Sequence, residues 1–490
     1  MAGYENYYEY IEELGADRDG YVLTNFPYLN NGPKDLIGNS GKGKEYAYRS
    51  YFGRVMYSYA DRYLFQANIR HDGSSRFAKK HRWGTFPSFS AGWVLSEENF
   101  MKNLNWDWLS FLKIRATWGA LGNERIGDFP YMSTIAFGNT IFYQNNGIYF
   151  DQTASQQKYA IENVTWEKTE STDIGLDISF LNNRLRVNGD YYWKNTKDML
   201  LAMAIPDFLG FSDPDVNAGK MSTKGYELNV SWNDHIGDFS YGIAINFSDF
   251  TSKMGDLQGT QFLGDKVKME GSEFNEWYGY VSDGLFLTEE DLKNSPKIND
   301  KNTQLGDIKY KDISGPDGVP DGKISPEYDR VLLGSSLPHF LYGGNINLGY
   351  KNFDLSLAFQ GVGKQNARLA REMVEPFRNN YGNFPAIIDG NYWSPYNTDE
   401  QNAVAKYPRL THVNKSSNYA MSDYWLFNGG YFRLKNITLG YTFPKEWMNA
   451  IGIKGARIYA SASDLFCLSK YPKGWDPEMG VSEYPITTSI

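Results

Sequence analysis

The stretch TDIGLDISFLNNRLRVNGDYYW, residues 172–193, decides how this chain folds. Thr172, Ile174, Leu176, Ile178 and Phe180 alternate with Asp173, Gly175, Asp177 and Ser179. Asn182 and Asn183 predict a two-residue turn, after which Leu185, Val187, Gly189, Tyr191 and Trp193 alternate with Arg184, Arg186, Asn188, Asp190 and Tyr192. A period of two puts successive side chains on opposite faces, so the stretch reads as a hairpin with one apolar and one polar face.

The pattern recurs. Tyr226, Leu228, Val230 and Trp232 carry it, then Phe239, Tyr241, Ile243, Ile245 and Phe247 beyond a turn at His235, Ile236 and Gly237. Ile346, Leu348 and Tyr350 lead through Lys351 and Asn352 into Phe353, Leu355, Leu357 and Phe359. The connections at the opposite ends are long: 73–85, 199–216, 252–272 and about 364–428. Tight turns at one rim and long loops at the other suit a meander whose rims face different compartments. The expectation is therefore all-β: an antiparallel up-and-down transmembrane β-barrel, with apolar side chains toward lipid and polar ones toward a lumen.

Composition permits this. A chain of 490 residues is long for one domain, but barrels run to such lengths as single units. The mean hydropathy of -0.54 is no obstacle, because only the outward residues of each short strand must be apolar. No run of eighteen apolar residues occurs, which excludes a transmembrane helix. Aromatic residues make up 16% and need a home, either in girdles at the membrane interfaces or in ligand-binding loops. A net charge of -9 and the lack of a basic stripe argue against nucleic acid as a partner. The single cysteine, Cys467, removes intrachain disulfides and Cys-based zinc sites, and reads as a small apolar strand residue. Residues 1–10 have no charged-then-apolar export signal.

A series of blocks carries a family resemblance: RHDGSSRF at 70–77, FPSFSAGW at 86–93, FLKIRA at 111–116, WEKTE at 166–170, NAGK at 217–220 leading to KGYE at 224–227, YGY at 278–280, DGLF at 283–286, YFRLKN at 431–436 and DPE at 476–478. In type and order, over roughly 45–485, they resemble the SusC/RagA type of TonB-dependent outer-membrane transporter. Members of that family also carry a signal peptide, a TonB-contacting segment, a globular plug and a final strand with a terminal aromatic. None of these is matched here, and the chain stops at Thr488, Ser489 and Ile490. The expectation for 1–490 is the C-terminal part of such a barrel, incomplete, with about 14–15 strands of the ~22 in a complete one and with the plug absent.

The resemblance implies a function: TonB-dependent import of bulky nutrients, glycans and oligosaccharides or peptides, across the outer membrane of a Gram-negative bacterium. It implies as partners a SusD-like surface lipoprotein that lids the barrel, the TonB complex acting through N-terminal parts, the ligand, and outer-membrane lipid. The rival readings are a secreted or surface β-rich carbohydrate-binding protein or glycoside hydrolase, and a passive porin or adhesin. Alternation opposes a hydrolase, which would bury both faces of some sheets and present a fixed acid pair.

Individual constellations are weaker. In DISGPDGVPDGKISPEYDR, residues 312–330, Asp317, Asp321, Gly322 and Ser325 fit positions one, five, six and nine of a calcium loop, with Asp329 close behind. Val319 and Tyr328 break the pattern, so an unmetallated acidic turn is the alternative; calcium is the one cofactor considered. GNSGKGK at 38–44 resembles a phosphate loop but continues into Glu45 and reads as a flexible loop. The five histidines have no ligand spacing. Glu97-Glu98 and Glu289-Glu290-Asp291 read as solvated acids at loops or helix starts. No catalytic residue is expected and the chain reads as no enzyme. Loop aromatics Trp277, Tyr278, Trp393, Tyr396 and Trp425 are candidates to touch ligand or lid, or to pack the rim.

Overall fold

The computed structural model describes residues 1–35, 37–144, 147–156, 159–203, 205–259, 263–369, 371–378, 382–479 and 486–489. The expected Ile490 lies outside them, as do short pieces of the loops expected at 199–216, 252–272 and 364–428. Among the described residues, thirteen strands form one sheet. They are β1 (Ala2–Arg18), β2 (Ile37–Tyr59), β3 (Tyr63–Ser74), β4 (Trp83–Val94), β5 (Leu109–Asn123), β6 (Glu167–Phe180), β7 (Leu185–Lys197), β8 (Met221–Ile236), β9 (Phe239–Met254), β10 (His339–Tyr350), β11 (Phe353–Lys364), β12 (Tyr431–Thr442) and β13 (Arg457–Ser469). Spatial order follows chain order throughout, which is the up-and-down meander. Ile135–Gln144 and Gly147–Gln156 form a further antiparallel pair that, among the described residues, joins no other strand.

The chain forms two compact units. The first comprises Met1–Gly92, Ala116–Thr172 and Lys194–Met221. Here β1 and β2 form an extended ribbon in unbroken register from Ala2↔Gly53 to Arg18↔Ile37. One expectation is corrected by it: 38–44 is no flexible loop but part of β2, paired with β1. Lys42 there reaches Glu13 across the ribbon at 2.8 Å, and Gly38 leaves room for the Asp17 carboxylate, which an added Cβ would meet at 2.3 Å. Pairing with β1 overrides the low strand propensity of glycine. Phe86 of β4 joins Phe77, Ile126, Val164 and Trp166, which lie outside the strands, in a small buried core.

The second unit comprises Trp93–Arg115, Asp173–Trp193 and Ser222–Ile490. The tight turns are close to expectation: Gly237 and Asp238 join β8 to β9, and Lys351 and Asn352 join β10 to β11. The turn at 182–183 is longer than expected, since Leu181, Asn182 and Asn183 all take positive φ and pairing resumes only at Leu185. Two consecutive left-handed residues would suffice for a type I′ turn; the third widens it. The long loops are 255–338 and 365–430, the first far exceeding the expected 252–272 because it holds secondary structure of its own.

The two faces of the sheet behave as the alternation requires. Ile174 is 50% exposed and Ile245 45%, and Leu176, Tyr191 and Leu439 are likewise exposed. Their polar neighbours are the shielded ones. Arg115 binds Asp190 at 2.6 Å and Asp177 at 3.3 Å, Asn188 donates to Asp177 at 2.8 Å, and the Asp190 side chain is only 16% exposed. A β-sheet with exposed aliphatics on one face and paired charges on the other is built for an apolar solvent outside and a polar interior. Among the described residues no helix is long and apolar enough to cross a membrane. It follows that Ile245→Lys should destabilise the folded protein in lipid by roughly 2–4 kcal/mol if it lies near the bilayer centre, while Asn246→Lys on the opposite face should cost far less. Urea titration of the two variants refolded into vesicles measures the difference.

Candidate functional site

The loops 255–338 and 365–430 of the second unit condense into a body with its own core, in which Tyr280, Leu285, Ile308, Tyr310, Leu369 and Trp425 are buried. Two glycines make it possible. Gly279 of YGY lies so close to Met421 that an added Cβ would meet its carbonyl oxygen at 2.2 Å, and Tyr280 N–H donates to that same oxygen at 2.9 Å. Gly306, at φ +83°, supports the face of Trp393, which an added Cβ would meet at 2.3 Å. Both positions exclude any side chain.

At the centre sits Asp307, fully buried. Its Oδ1 accepts from Arg409 Nε at 2.7 Å and Asn418 Nδ2 at 2.9 Å; its Oδ2 accepts from Asn414 Nδ2 at 2.8 Å and the backbone N–H of Gln304 at 2.9 Å. Asn418 in turn holds Ile308 N–H and, through its carbonyl, the Trp425 indole. One carboxylate thus joins the two loops. No local pattern announces it, because its partners lie over a hundred residues away.

The five candidate aromatics separate. Trp425 is 2% exposed inside this core, held between Tyr419 and Tyr407, so its ring packs the interior of the loop body. Trp277 is half-buried, donating from Nε1 to the Asn366 carbonyl at 2.6 Å, with the Lys266 ammonium 4.6 Å above its ring. Burial holds that ammonium's pKa below the ordinary lysine value. Tyr278 lies under the Arg330 guanidinium at 4.5 Å. Trp393 and Tyr396 are brought together at a cavity of about 570 Å³ whose walls include Glu289 and Arg409. Tyr396 is 96% exposed, an aromatic ring with nothing covering it.

The candidate calcium residues do not converge. Asp329, fully buried, spends both oxygens on backbone: Oδ1 accepts from Ile313 and Ser314 N–H, and Oδ2 from Ser325 N–H at 2.7 Å. Ser325 Oγ caps Tyr328 N–H, Asp321 accepts from Lys323 N–H, and Asp317 is exposed at the tip. Gly322 does make the expected bend, at φ +82°. Among the described residues no three His, Cys, Asp or Glu side chains stand in metal-holding geometry. Asp312, not singled out from sequence, accepts from Gly322 N–H through Oδ2 while its buried Oδ1 has no partner. Glu289, Glu290 and Asp291 occupy the first turn of a short helix capped by Thr288, where acids suit the helix dipole. His339, one of the five histidines without ligand spacing, sits between Asp249 at 2.8 Å and Glu273 at 3.5 Å.

The sequence blocks meet in pairs. Arg433 of YFRLKN is 3% exposed and binds both oxygens of Asp476 through Nη2, at 2.5 and 2.6 Å, and Glu478 through Nε at 2.7 Å, both acids belonging to DPE. Phe77 and Phe86, from two other blocks, meet Trp166 of a third in the first unit's core, one ring tilted and one edge to face. Residues 3–465 match the family described as TonB dependent receptor-like, beta-barrel. The chain belongs to that family. The match begins at residue 3, well before the resemblance seen from 45 onward, because the β1–β2 ribbon is part of it. Among curated relatives of this TonB-dependent receptor barrel, TonB-dependent receptor SusC of Bacteroides thetaiotaomicron is 33% identical over 445 positions, covering 88% of this chain and 41% of SusC. TonB-dependent receptor P3 of Formosa agariphila is 31% identical over 505 positions, covering 98% of this chain and 47% of P3. The barrel chain spans about half the length of the curated relatives it matches. A solved RagAB peptide transporter shares its fold with a TM-score of 0.76 at 22% identity, over 98% of this chain and 51% of that one.

Proposed function

We propose that this chain supplies wall, rim and external loops to a TonB-dependent importer of bulky nutrients in the outer membrane of a Gram-negative bacterium. The carrying observation is the pairing of a sheet apolar on its exposed face with a separately cored loop body at the rim of long loops. Such a body is large enough to grip an oligosaccharide or peptide, and Tyr396 and Trp393 offer it rings. A SusD-like lipoprotein would close over the same loops, and the TonB complex would act through parts outside this chain. The work is capture and passage, with no chemistry on the ligand. Co-purification of a surface lipoprotein with the detergent-extracted receptor, and loss of growth on its nutrient when the receptor gene is deleted, are the expected results. Growth unaffected on every oligosaccharide and peptide source would refute the reading.

Calcium at 312–329 is proposed on one feature, the buried and unpartnered Asp312 Oδ1 beside the Asp321–Gly322 bend. Millimolar calcium should then raise the melting temperature of the receptor above that in chelator. Identical melting in both would leave Asp329 alone as the loop's anchor.

A further inference from the structure

A second cavity in the loop body, about 870 Å³, opens between the segments around 391, 406–407 and 424–427 and the chain leaving β13 at 469–473. Its volume falls in the range of small-ligand sites. Three lysines line it, Lys406, Lys470 and Lys473, and no acidic residue does. In a chain with 58 acidic and 49 basic side chains this stands apart from Lys309, Arg409 and Lys415 of the same body, each of which has a carboxylate beside it. None of the three meets a carboxylate within 4 Å among the described residues, and all are exposed at the cavity mouth. Behind them stand rings: Phe427 and Tyr471, edge to face at 6.2 Å, and Tyr424, whose hydroxyl donates to the Lys406 carbonyl at 2.8 Å. Burial raises the Tyr471 phenol to about 12, so it stays a neutral hydrogen-bond donor beside the lysines.

Unpaired cations clustered over apolar walls concentrate a positive potential at the opening. Rings beneath them present flat apolar faces suited to the C–H faces of sugars, while ammonium groups suit carboxylate or sulfate. An extended peptide would instead seek a free strand edge, and the nearest backbone here is already taken: Ala367 pairs with Phe427 and Arg368 with Leu426. We propose that this cavity binds an anionic oligosaccharide, a glycan bearing uronate or sulfate groups, as a capture site on the outer rim. The proposal rests on the importer reading for its place at the cell surface, and it narrows the nutrient to acidic glycans.

The test is calorimetric titration of the full receptor in detergent with trigalacturonate, a sulfated disaccharide, neutral maltotriose and triglutamate, repeated for the Lys406→Gln/Lys470→Gln/Lys473→Gln variant. Trigalacturonate or the sulfated sugar should bind, weaken with added salt, and lose roughly tenfold or more in affinity in the triple variant; which of the two binds assigns carboxylate or sulfate. The variants replace exposed groups, and an unchanged heat-modifiable band on gels verifies that they fold. Undiminished binding by the triple variant, tighter binding of triglutamate, or failure of both anionic sugars to bind would each overturn the proposal. A receptor that fails these tests yet still needs detergent to stay dispersed loses only the cavity's assignment; one that stays soluble without amphiphile loses the importer reading as well.

Discussion

Replacing Asp307 by alanine is expected to open the external loop body while the strand meander stays folded. The carboxylate is fully buried and receives hydrogen bonds from Arg409, Asn414, Asn418 and a backbone N–H. Its removal strands a guanidinium and two amides in the same interior, and breaking one side of a buried charge pair typically costs about 3–5 kcal/mol. A body joined at this point should then open locally with little effect on the sheet. Limited proteolysis should cut within 255–338 and 365–430 at protease levels that spare the parent protein, with the β-sheet circular dichroism retained. Asp307→Asn keeps the shape and part of the bonding, so it should fall between. Resistance of the alanine variant equal to the parent's would show that the loops are held together elsewhere.

Arg433→Ala should have an effect of similar size on the sheet itself. The guanidinium is almost completely buried and binds Asp476 and Glu478, while Lys435 reaches Asp464 at 2.7 Å beside it. Without the arginine, three carboxylates face one lysine, and like charges left unpaired in a shielded place cost about 3–5 kcal/mol. Lysine at 433 would restore the charge but not the two-toothed geometry that meets Asp476, so only partial rescue is expected. The measurement is the urea midpoint for refolding in vesicles. The segment carrying DPE should also lose its protection from hydrogen exchange in the alanine variant, which a general loss of stability would not confine to that segment.

The strand meander was legible because period-two alternation depends on nearest neighbours only: Ile243, Ile245 and Phe247 announce their face without help from the rest of the chain. The limits were physical too. The Gly- and Lys-rich 38–44 becomes strand only because β1 lies beside it, and β1 itself alternates weakly, with Tyr7 and Tyr8 adjacent and both exposed. A tertiary partner decided what local propensity could not. Trp425 shows a different limit. An aromatic residue in a long loop reads as a ligand platform, but this loop has a core of its own, and Trp425 packs into it while Tyr396 stays exposed. Arg433 and DPE were each visible as blocks; their pairing, across some forty residues with β13 between them, was not.

Every functional conclusion depends on the exposed apolar face being the one that meets lipid. Strand β8 tests this most directly, because Tyr226, Glu227, Leu228 and Asn229 are all exposed and alternate sides. Each is replaced in turn by cysteine in a Cys467→Ser background, labelled with a fluorophore, and the receptor is reconstituted in vesicles. Labels at 226 and 228 should be quenched by a lipid-borne nitroxide and those at 227 and 229 by aqueous iodide. Labels at 226 and 228 shielded from the lipid quencher would contradict the account.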